Sequence, residues 1–524
     1  MGICISLKVS KSVSEERWQK VYDEALFLAK KLNLAEIRTV KIHGHQVSCL
    51  AKTKESEWYG ERGFMAIADY EYGDAAESFF FPKEISSTKT QEPIDALECT
   101  AYDIGVVETN PDSDDCIDIW GNKTQEMYYH FSILAIGCLV QDRLKDEAYV
   151  YGDFNAGQCR VAVKDANEFL KKPIQVPCQC DPNRWIERIS RLAVKGTDKV
   201  RMAECMYIGK KDAAFGEKLR ALLPSDVLMQ YWKEEMNYYQ MRMFGFMNCF
   251  KRYLEMGFDI AELCDIISFK DEDGNDMHEY FIHMILDAKM HWKEKDCSDI
   301  LVQDPDDPKL YGIDGLLFRT FAIGQRNKKV DRYIPIDELR GILKEKLGQA
   351  CDVDAIMDAY LRNENESEDD SESRKITMNI LHEEREKNDA LSKEYQIYDA
   401  GMLQKYEPGW KIEPSIEEAI QKVMDFAESL PKQQSYRQIA QKSVQEIENW
   451  LSKISFGIYG LRDRDWQRIF TNLEKDPKSV KRYCSLFLIK QDSSPVREVV
   501  QALIINDDLY EYACLMMGKA KAVA

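Results

Sequence analysis

The apolar positions of this chain follow two different periods, which separate a strand-rich part from a helical part. Apolar and polar residues alternate over residues 3–9, as expected for a half-buried strand. Residues 15–32 then carry apolar side chains at three- and four-residue steps, which predicts a helix. Runs rich in β-branched and aromatic residues predict further strands at 38–42, 46–50, 64–72, 77–81, 102–108, 116–120 and 147–151.

Beyond residue 180 the apolar period is helical almost to the end of the chain. The longest such stretch, residues 227–256, predicts one continuous helix. Ser225 and Asp226 can cap its start, and Gly257 can adopt the left-handed conformation that ends it. At about 1.5 Å per residue this helix would be roughly 45 Å long, so we expect a domain to be built around it.

One acidic segment interrupts the helical pattern. Residues 363–375 contain no apolar side chain and carry a dense negative charge, which predicts an exposed linker. We therefore predict an α+β protein with a mixed-sheet domain at 1–175 and a helical domain at 176–362. A second helical domain follows the linker at 376–524.

Composition narrows the functional classes. A net charge of −20 opposes binding to nucleic acid and to anionic lipid. Fifteen cysteines, scattered and odd in number, favour a reducing cytoplasm. The longest uncharged apolar run, residues 131–140, is about half of the ~20 residues that cross a bilayer, so no membrane span is predicted. Residues 1–6 match a loose N-myristoylation pattern, but their alternation favours a strand, and no secretory leader precedes it.

The strongest candidate for chemistry is a row of polar residues on one predicted helix. His283, Asp287 and His291 follow at four-residue steps, so two imidazoles and a carboxylate face the same side. This is a ligand set for zinc or a related divalent ion, and it favours a metal-dependent enzyme. The alternative is a solvated polar face on which Asp287 pairs with a histidine or a lysine.

Two short histidine and cysteine patterns carry weaker signals. His43 and His45 flank a glycine at a predicted hairpin turn; they could bind a metal, but a surface turn is the favoured interpretation. Cys178 and Cys180 lack both the two-residue spacing and the second cysteine pair of a structural zinc site.

Residues 152–159 have the glycine spacing of a phosphate-binding P-loop between a predicted strand and helix. Gln158 and Cys159, however, stand where such a loop needs its lysine and its Ser or Thr. We therefore predict a tight turn, with Asp153 or Asn155 capping the helix that follows.

Two further segments predict binding surfaces. A basic island on this acidic chain can attract an anion or pair internally with acidic neighbours, and its candidate residues are Arg184, Arg188, Arg191 and Lys195. The last predicted helix is apolar on more than one side, which favours self-association or a protein partner. The candidate residues of this partner surface are Leu509, Tyr510, Tyr512, Leu515 and Met516.

Taken as a sequence, the chain is most consistent with a cytoplasmic interaction protein, an adaptor or sensor with helical binding surfaces. Signatures of hydrolases and of organic cofactors are missing, which argues against an enzyme. The alternative is a metal-dependent enzyme that uses the face formed by His283, Asp287 and His291.

Overall fold

The protein begins with antiparallel sheets and continues as helices, so the α+β prediction is confirmed. This architecture comes from a computed structural model. It describes residues 3–58, 60–73, 75–86, 94–108, 115–125, 127–194, 196–292, 306, 308, 330, 332–366, 391–454, 460–489 and 494–523.

The strands form two antiparallel sheets. The first has the order β7-β1-β8 and contains β1 (Cys4–Ser10), β7 (Cys116–Lys123) and β8 (Ala148–Gly152). The second has the order β3-β2-β5-β4, with β6 paired to β5. Its strands are β2 (Leu34–Ile42), β3 (His45–Lys52), β4 (Ser56–Trp58), β5 (Glu61–Asp69) and β6 (Ala75–Pro82).

Four helices accompany these sheets: α1 (Glu15–Lys31), α2 (Ala96–Asp103), α3 (His130–Leu144) and α4 (Ala156–Asn167). The buried faces of α1, α3 and α4 share one apolar core with both sheets, in which Trp18 stacks on Phe81. The apolar side chains of α2, including Leu97, belong instead to the core of the helices that follow. The strand predicted at 102–108 is wrong. The side chain of Asp95 accepts a hydrogen bond from Leu97 N and starts α2 there instead.

The turn at residues 152–159 is a tight strand-to-helix connection, as predicted. Gly152 has a φ of 138°, and a Cβ at this position would overlap the backbone of Cys4. Asn155 caps α4 and forms a capping box with Gln158, while Cys159 is buried. Gly152, Asn155 and Gln158 therefore shape the backbone of this turn. The position where a P-loop has its phosphate-binding lysine is occupied by Gln158.

The helices of the middle region surround a second core rich in tryptophan, phenylalanine and methionine. They are α5 (Pro182–Arg191), α6 (Gly196–Cys205), α7 (Ala213–Leu222), α8 (Ser225–Tyr238), α9 (Phe244–Glu255), α10 (Ile260–Ile266), α11 (His278–Asp287), α12 (Ile336–Leu347) and α13 (Val353–Glu366). Trp232 of α8 lies at its centre and packs against the rings of Tyr253 and Phe258.

The single long helix predicted over residues 227–256 is wrong. Helix α8 ends at Tyr238, α9 begins at Phe244, and Tyr239 and Met243 between them are extended. Apolar residues keep the same spacing on both sides of this break. The periodicity therefore predicts the two helices but does not reveal their interruption.

Contacts from distant residues explain the break. The side chain of Asn237 donates to the carbonyl of Ile266 and accepts from the amide of Ser268, which fixes the end of α8 against another segment. Gly245 then lets the chain fold back, because a Cβ there would overlap the ring of Tyr239.

The C-terminal helices form a third core. They are α14 (Pro414–Ser429), α15 (Gln434–Ala440), α16 (Val444–Ile454), α17 (Asp463–Lys475), α18 (Lys478–Leu488), α19 (Ser494–Ile505) and α20 (Asp507–Val523). Ile42, Val47 and Cys49 of the β2–β3 hairpin belong to the same core, and Leu50 N donates to Leu461 O at 2.9 Å. The β2–β3 hairpin of the second sheet therefore packs on helices some 400 residues away.

The predicted linker at 363–375 lies outside the described residues, except that residues 363–366 continue α13. Its exposure and the domain boundaries around it stay predictions. None of the helices in the described part of the chain is both long enough and apolar enough to cross a membrane.

Candidate metal centre

The tip of the β2–β3 hairpin presents two histidines toward the C-terminal helices. Ile42 pairs with His45, so His43 and Gly44 form a two-residue turn. Their φ angles of 46° and 88° are typical of a type I′ turn, which suits the twist of the strands. Histidine is among the residues that tolerate the left-handed region, and glycine enters it freely.

Two helices supply the carboxylates that face these histidines. Glu448 lies on α16, and Glu474 lies near the end of α17, one turn after Phe470. The rings of His43 and His45 pack against Phe470, with centroid separations of 5.7 Å and 5.8 Å. Because Phe470 is fully buried, it fixes the position of both imidazoles.

The ligand atoms converge on one point. His43 Nδ1 lies 3.5 Å from Glu448 Oε1 and 3.4 Å from Glu474 Oε1. One donor atom from each of these three residues lies within 4.8 Å of the other two. His45 Nε2 lies 3.1 Å from Glu448 Oε2, the second oxygen of the same carboxylate.

The two distances from His43 Nδ1, 3.5 Å and 3.4 Å, are longer than good hydrogen bonds and match the edge of a metal polyhedron. Protein N–H···O bonds span about 2.7–3.2 Å. Ligands about 2.0–2.1 Å from a tetrahedral zinc ion lie about 3.3 Å from one another. Among the described residues, His43 Nδ1 and Glu448 Oε1 are both buried and have no hydrogen-bond partner. Each can direct a lone pair to an ion when His43 carries its proton on Nε2.

The charge at this site also favours a cation. Glu448 is only 3% exposed, and among the described residues no lysine or arginine nitrogen forms an ion pair with it. A buried carboxylate without a cation is costly. The side chain of Glu474 is 56% exposed, so the site opens to solvent on that side.

The two oxygens of Glu448 have different roles in this arrangement. Oε1 faces His43 and the point of convergence, whereas Oε2 accepts a hydrogen bond when His45 carries its proton on Nε2. A histidine that is hydrogen-bonded to a ligating carboxylate holds that carboxylate in place, as the hydrogen-bond partners of ligands do in metal sites. His43, Glu448 and Glu474 are thus the candidate ligands, and His45 is the positioning residue.

No family model, curated protein or solved structure matches this chain. Within the described part of the chain, His43, Glu448 and Glu474 form the one group of three potential ligands with mutually close donor atoms. The interpretation of the site therefore depends on its own geometry and charge.

The three residues of the predicted metal face, His283, Asp287 and His291, do not all lie on one helix in the structure. Helix α11 ends at Asp287, so His291 leaves the helical period that would align it with the other two. The hydroxyl of Tyr360 donates to Asp287, and its ring packs on that of His283 at 5.4 Å. The three donor atoms do not come together as a close group.

The predicted anion-binding island is paired internally. Its candidate residues were Arg184, Arg188, Arg191 and Lys195, of which the first donates to a backbone carbonyl and the last lies outside the described residues. Arg188 is 2% exposed and donates to both carboxylate oxygens of Asp95, at 3.1 Å and 2.5 Å. Arg191 pairs with Asp146 at 2.9 Å. Arg188 is therefore a buried structural cation that no external anion reaches.

The predicted partner surface on the last helix is mostly covered by the chain itself. Leu509 is fully buried, and Tyr510 and Tyr512 are half-buried against the C-terminal core. The hydroxyl of Tyr512 donates to Glu417 of α14. Of the five predicted residues, which also include Met516, Leu515 alone is exposed, at 66%.

The sequence holds only half of the signal for the metal centre. The histidine pair is visible as a local pattern, and the hairpin turn predicted there is present. What the pattern does not reveal is that both rings pack on Phe470 of the C-terminal helices. Glu448 stands 403 residues beyond His45, and many acidic residues share its local surroundings. Spacing alone therefore does not select it.

Proposed function

We propose that this protein is a cytoplasmic metal-binding protein and that His43, Glu448 and Glu474 hold one divalent ion. The convergence of these three donors at the hairpin tip carries the proposal. The cytoplasmic location is supported by the fourteen described cysteines, all of which are free thiols.

The donor set favours zinc among the common ions. Calcium and magnesium prefer sites made of oxygen, whereas imidazole suits zinc and the later transition metals. One nitrogen and two carboxylates leave a further position toward the exposed side of Glu474. Zinc with three protein ligands and one open position is a frequent arrangement, and manganese and iron(II) are the closest alternatives.

The ion would act as a clamp between distant parts of the chain. His43 belongs to the hairpin, while Glu448 and Glu474 belong to α16 and α17. An ion bound only when these elements are docked stabilises the docked state in proportion to its concentration and affinity. This coupling is what a sensor requires, so the proposal develops the adaptor-or-sensor function expected from the sequence.

Replacing Glu448 by Gln should weaken zinc binding by about 100-fold or more, since loss of a group that only hydrogen-bonds to a ligand already costs about 10- to 100-fold. Full-length protein would be stripped with a chelator, dialysed and titrated with Zn²⁺ by calorimetry. We expect one ion per chain for the unchanged protein and a zinc-dependent rise in Tm. Manganese and anaerobic iron(II) would be titrated in the same way.

Two matched variants control this experiment. Glu418→Gln removes an exposed carboxylate that pairs with Lys422 on the same helix, so zinc affinity should not change. His283→Ala removes a ligand from the face predicted by the sequence and should also leave zinc binding intact. Absence of stoichiometric binding of any of the three ions, or unchanged affinity in Glu448→Gln, contradicts the proposal.

A second proposal keeps the protein-interaction function but moves its surface. The turn between α8 and α9 exposes four large apolar residues: Tyr238 at 80%, Tyr239 at 37%, Met243 at 47% and Phe244 at 50%. Monomers seldom expose such a group of neighbours. A second copy of this chain is the proposed occupant, because a two-fold contact lets one patch meet itself.

Replacing Phe244 by Asp should convert a self-associated protein to its monomer, because a charge in the patch would be desolvated in the contact. Light scattering at high protein concentration measures the mass. Phe426→Asp is the control, since Phe426 on α14 is also 50% exposed but lies outside the patch. A monomeric unchanged protein, or equal effects of both substitutions, argues against this surface.

A further inference from the structure

Two cysteine thiols from different elements lie in direct contact beside the first sheet. The Sγ atoms of Cys99 and Cys116 are 2.8 Å apart, with the thiol of Cys116 donating to Cys99. Cys99 belongs to α2 and is buried, whereas Cys116 is the first residue of β7 and is partly exposed. Solvent therefore reaches this pair from one side.

The backbone on each side of the pair is held independently. Helix α2 starts at its Asp95 cap and packs against β1 and β8. Asp95 is itself fixed by Arg188, and Cys116 is aligned with Ser10 in the ladder between β7 and β1. The two sulfurs thus meet because two rigid elements bring them together.

The contact between the two sulfurs favours a thiolate at Cys99. The hydrogen bond from Cys116 lowers the pKa of Cys99, and burial opposes this. The nearby ammonium of Lys8 also lowers the pKa, whereas the carboxylates of Asp103 and Asp115 raise it. The same hydrogen bond, together with burial, raises the pKa of Cys116. Lys8 is buried and held by Asp103 and Asp118, so its charge stays beside the sulfurs.

We propose that Cys99 and Cys116 are a peroxide-reactive dithiol site that forms a reversible disulfide. Disulfide bonding needs sulfurs about 2.05 Å apart, so closure requires a movement of only about 0.8 Å. The bond would join α2 to β7 and link residues 17 positions apart in the chain. This site is separate from the metal centre and does not depend on it.

The chemistry balances with hydrogen peroxide as the oxidant. The thiolate of Cys99 attacks one peroxide oxygen, the O–O bond breaks, and the sulfur becomes a sulfenic acid while hydroxide leaves and takes up a proton. The sulfur of Cys116 then attacks the sulfur of Cys99, the S–O bond breaks, and the proton from Cys116 leaves with the hydroxide as water. Two thiols are oxidised and one peroxide is reduced to two waters.

The disulfide can be detected by the mass of a single tryptic peptide. Trypsin cuts after Lys89 and Lys123 with no lysine or arginine between them, so one peptide contains Cys99 and Cys116 and no other cysteine. Full-length protein would be reduced, desalted, exposed to hydrogen peroxide, treated with an alkylating reagent and digested. We expect this peptide to become about 2 Da lighter than its dithiol form and to escape alkylation. Dithiothreitol should restore two alkylated cysteines.

Cleavage after Glu108 in addition should give two peptides that remain joined until reduction. The Cys116→Ser variant should lose the 2 Da change, which is the mass of two hydrogens lost to a disulfide. Cys205→Ser is the control and should behave as the unchanged protein, because Cys205 is exposed and its thiol contacts Glu204. Two results would overturn the proposal. One is that Cys99 and Cys116 are both still alkylated at a peroxide concentration that oxidises Cys205. The other is that Cys99 forms a disulfide with a different cysteine.

Discussion

Replacing Arg252 by Met should lower the free energy of unfolding by about 3–5 kcal/mol, because it leaves a buried carboxylate without its main partner. Glu204 is fully buried, and Arg252 Nη1 donates to both of its oxygens, at 3.0 Å and 2.7 Å. The hydroxyl of Tyr231 donates at 3.1 Å, and the ammonium of Lys211 lies 3.3 Å away. Neither of these groups can replace a guanidinium nitrogen that donates to both carboxylate oxygens.

This pair also sets a pH dependence. Burial raises the pKa of Glu204, but Lys211 and Arg252 outweigh burial and hold the pKa below its ordinary value. The pKa of a glutamate in the unfolded chain is about 4.3. The stabilisation from this ion pair is therefore present above that pH, and it is lost as the pH falls through the lower pKa that Glu204 has in the folded state. In the Arg252→Met variant the pKa of Glu204 should rise, so stability should start to fall at a higher pH.

Urea unfolding at neutral and acidic pH measures both effects. The control is the double variant Glu204→Gln with Arg252→Met, which removes the buried charge together with its partner. It should lose less stability than Arg252→Met alone, because no ionised group is left desolvated. If the double variant is the less stable of the two, the pair does not act through its charge.

Replacing Arg462 by Met should loosen the docking of the strand region on the C-terminal helices, also at a cost of about 3–5 kcal/mol. Arg462 is 3% exposed and donates to the carbonyls of Tyr70 and Glu71, at 2.6 Å and 2.5 Å. It also donates to Gln404 at 3.0 Å and to the buried carboxylate of Asp465 at 3.2 Å. Removing this side chain leaves several buried acceptors unpaired at once.

Arg464 provides a matched control two residues away. Its side chain is 51% exposed and pairs with Glu71 at 2.7 Å, so Arg464→Met should cost no more than about 1 kcal/mol. Hydrogen exchange at Leu50 N, which donates to Leu461 O across the same contact, reports the docking directly. Faster exchange in Arg464→Met than in Arg462→Met would contradict the assignment.

The Arg462 contact also bears on the metal proposal. His43 and Glu448 are brought together only while the hairpin is docked on α16 and α17. A variant that weakens docking should therefore bind zinc less tightly although it keeps every ligand. Calorimetry of Arg462→Met beside Glu448→Gln separates loss of docking from loss of a ligand.

The local pattern determined the class of this fold and many of its elements. Alternation predicted β1, and apolar residues at three- and four-residue steps predicted α1 and most later helices. An element that buries one face repeats its apolar residues at a fixed spacing, and this spacing can be recognised within a short stretch of sequence. The cap at Asn155 was equally local, since its partner Gln158 stands three residues away. The break between α8 and α9 was not, because Asn237 is bonded to a segment about thirty residues away.

Only the tertiary structure decided the candidate sites. The sequence spacing of His283, Asp287 and His291 is helical, but the helix ends before His291. His43 reaches Glu448 and Glu474 because the hairpin packs its apolar face into the core of helices α16 and α17. Sequence periodicity indicates which side of an element is buried, but it does not indicate which distant element covers that side. The covering element is determined by how whole surfaces pack together. This packing places His45 beside Glu448, which lies 403 residues further along the chain.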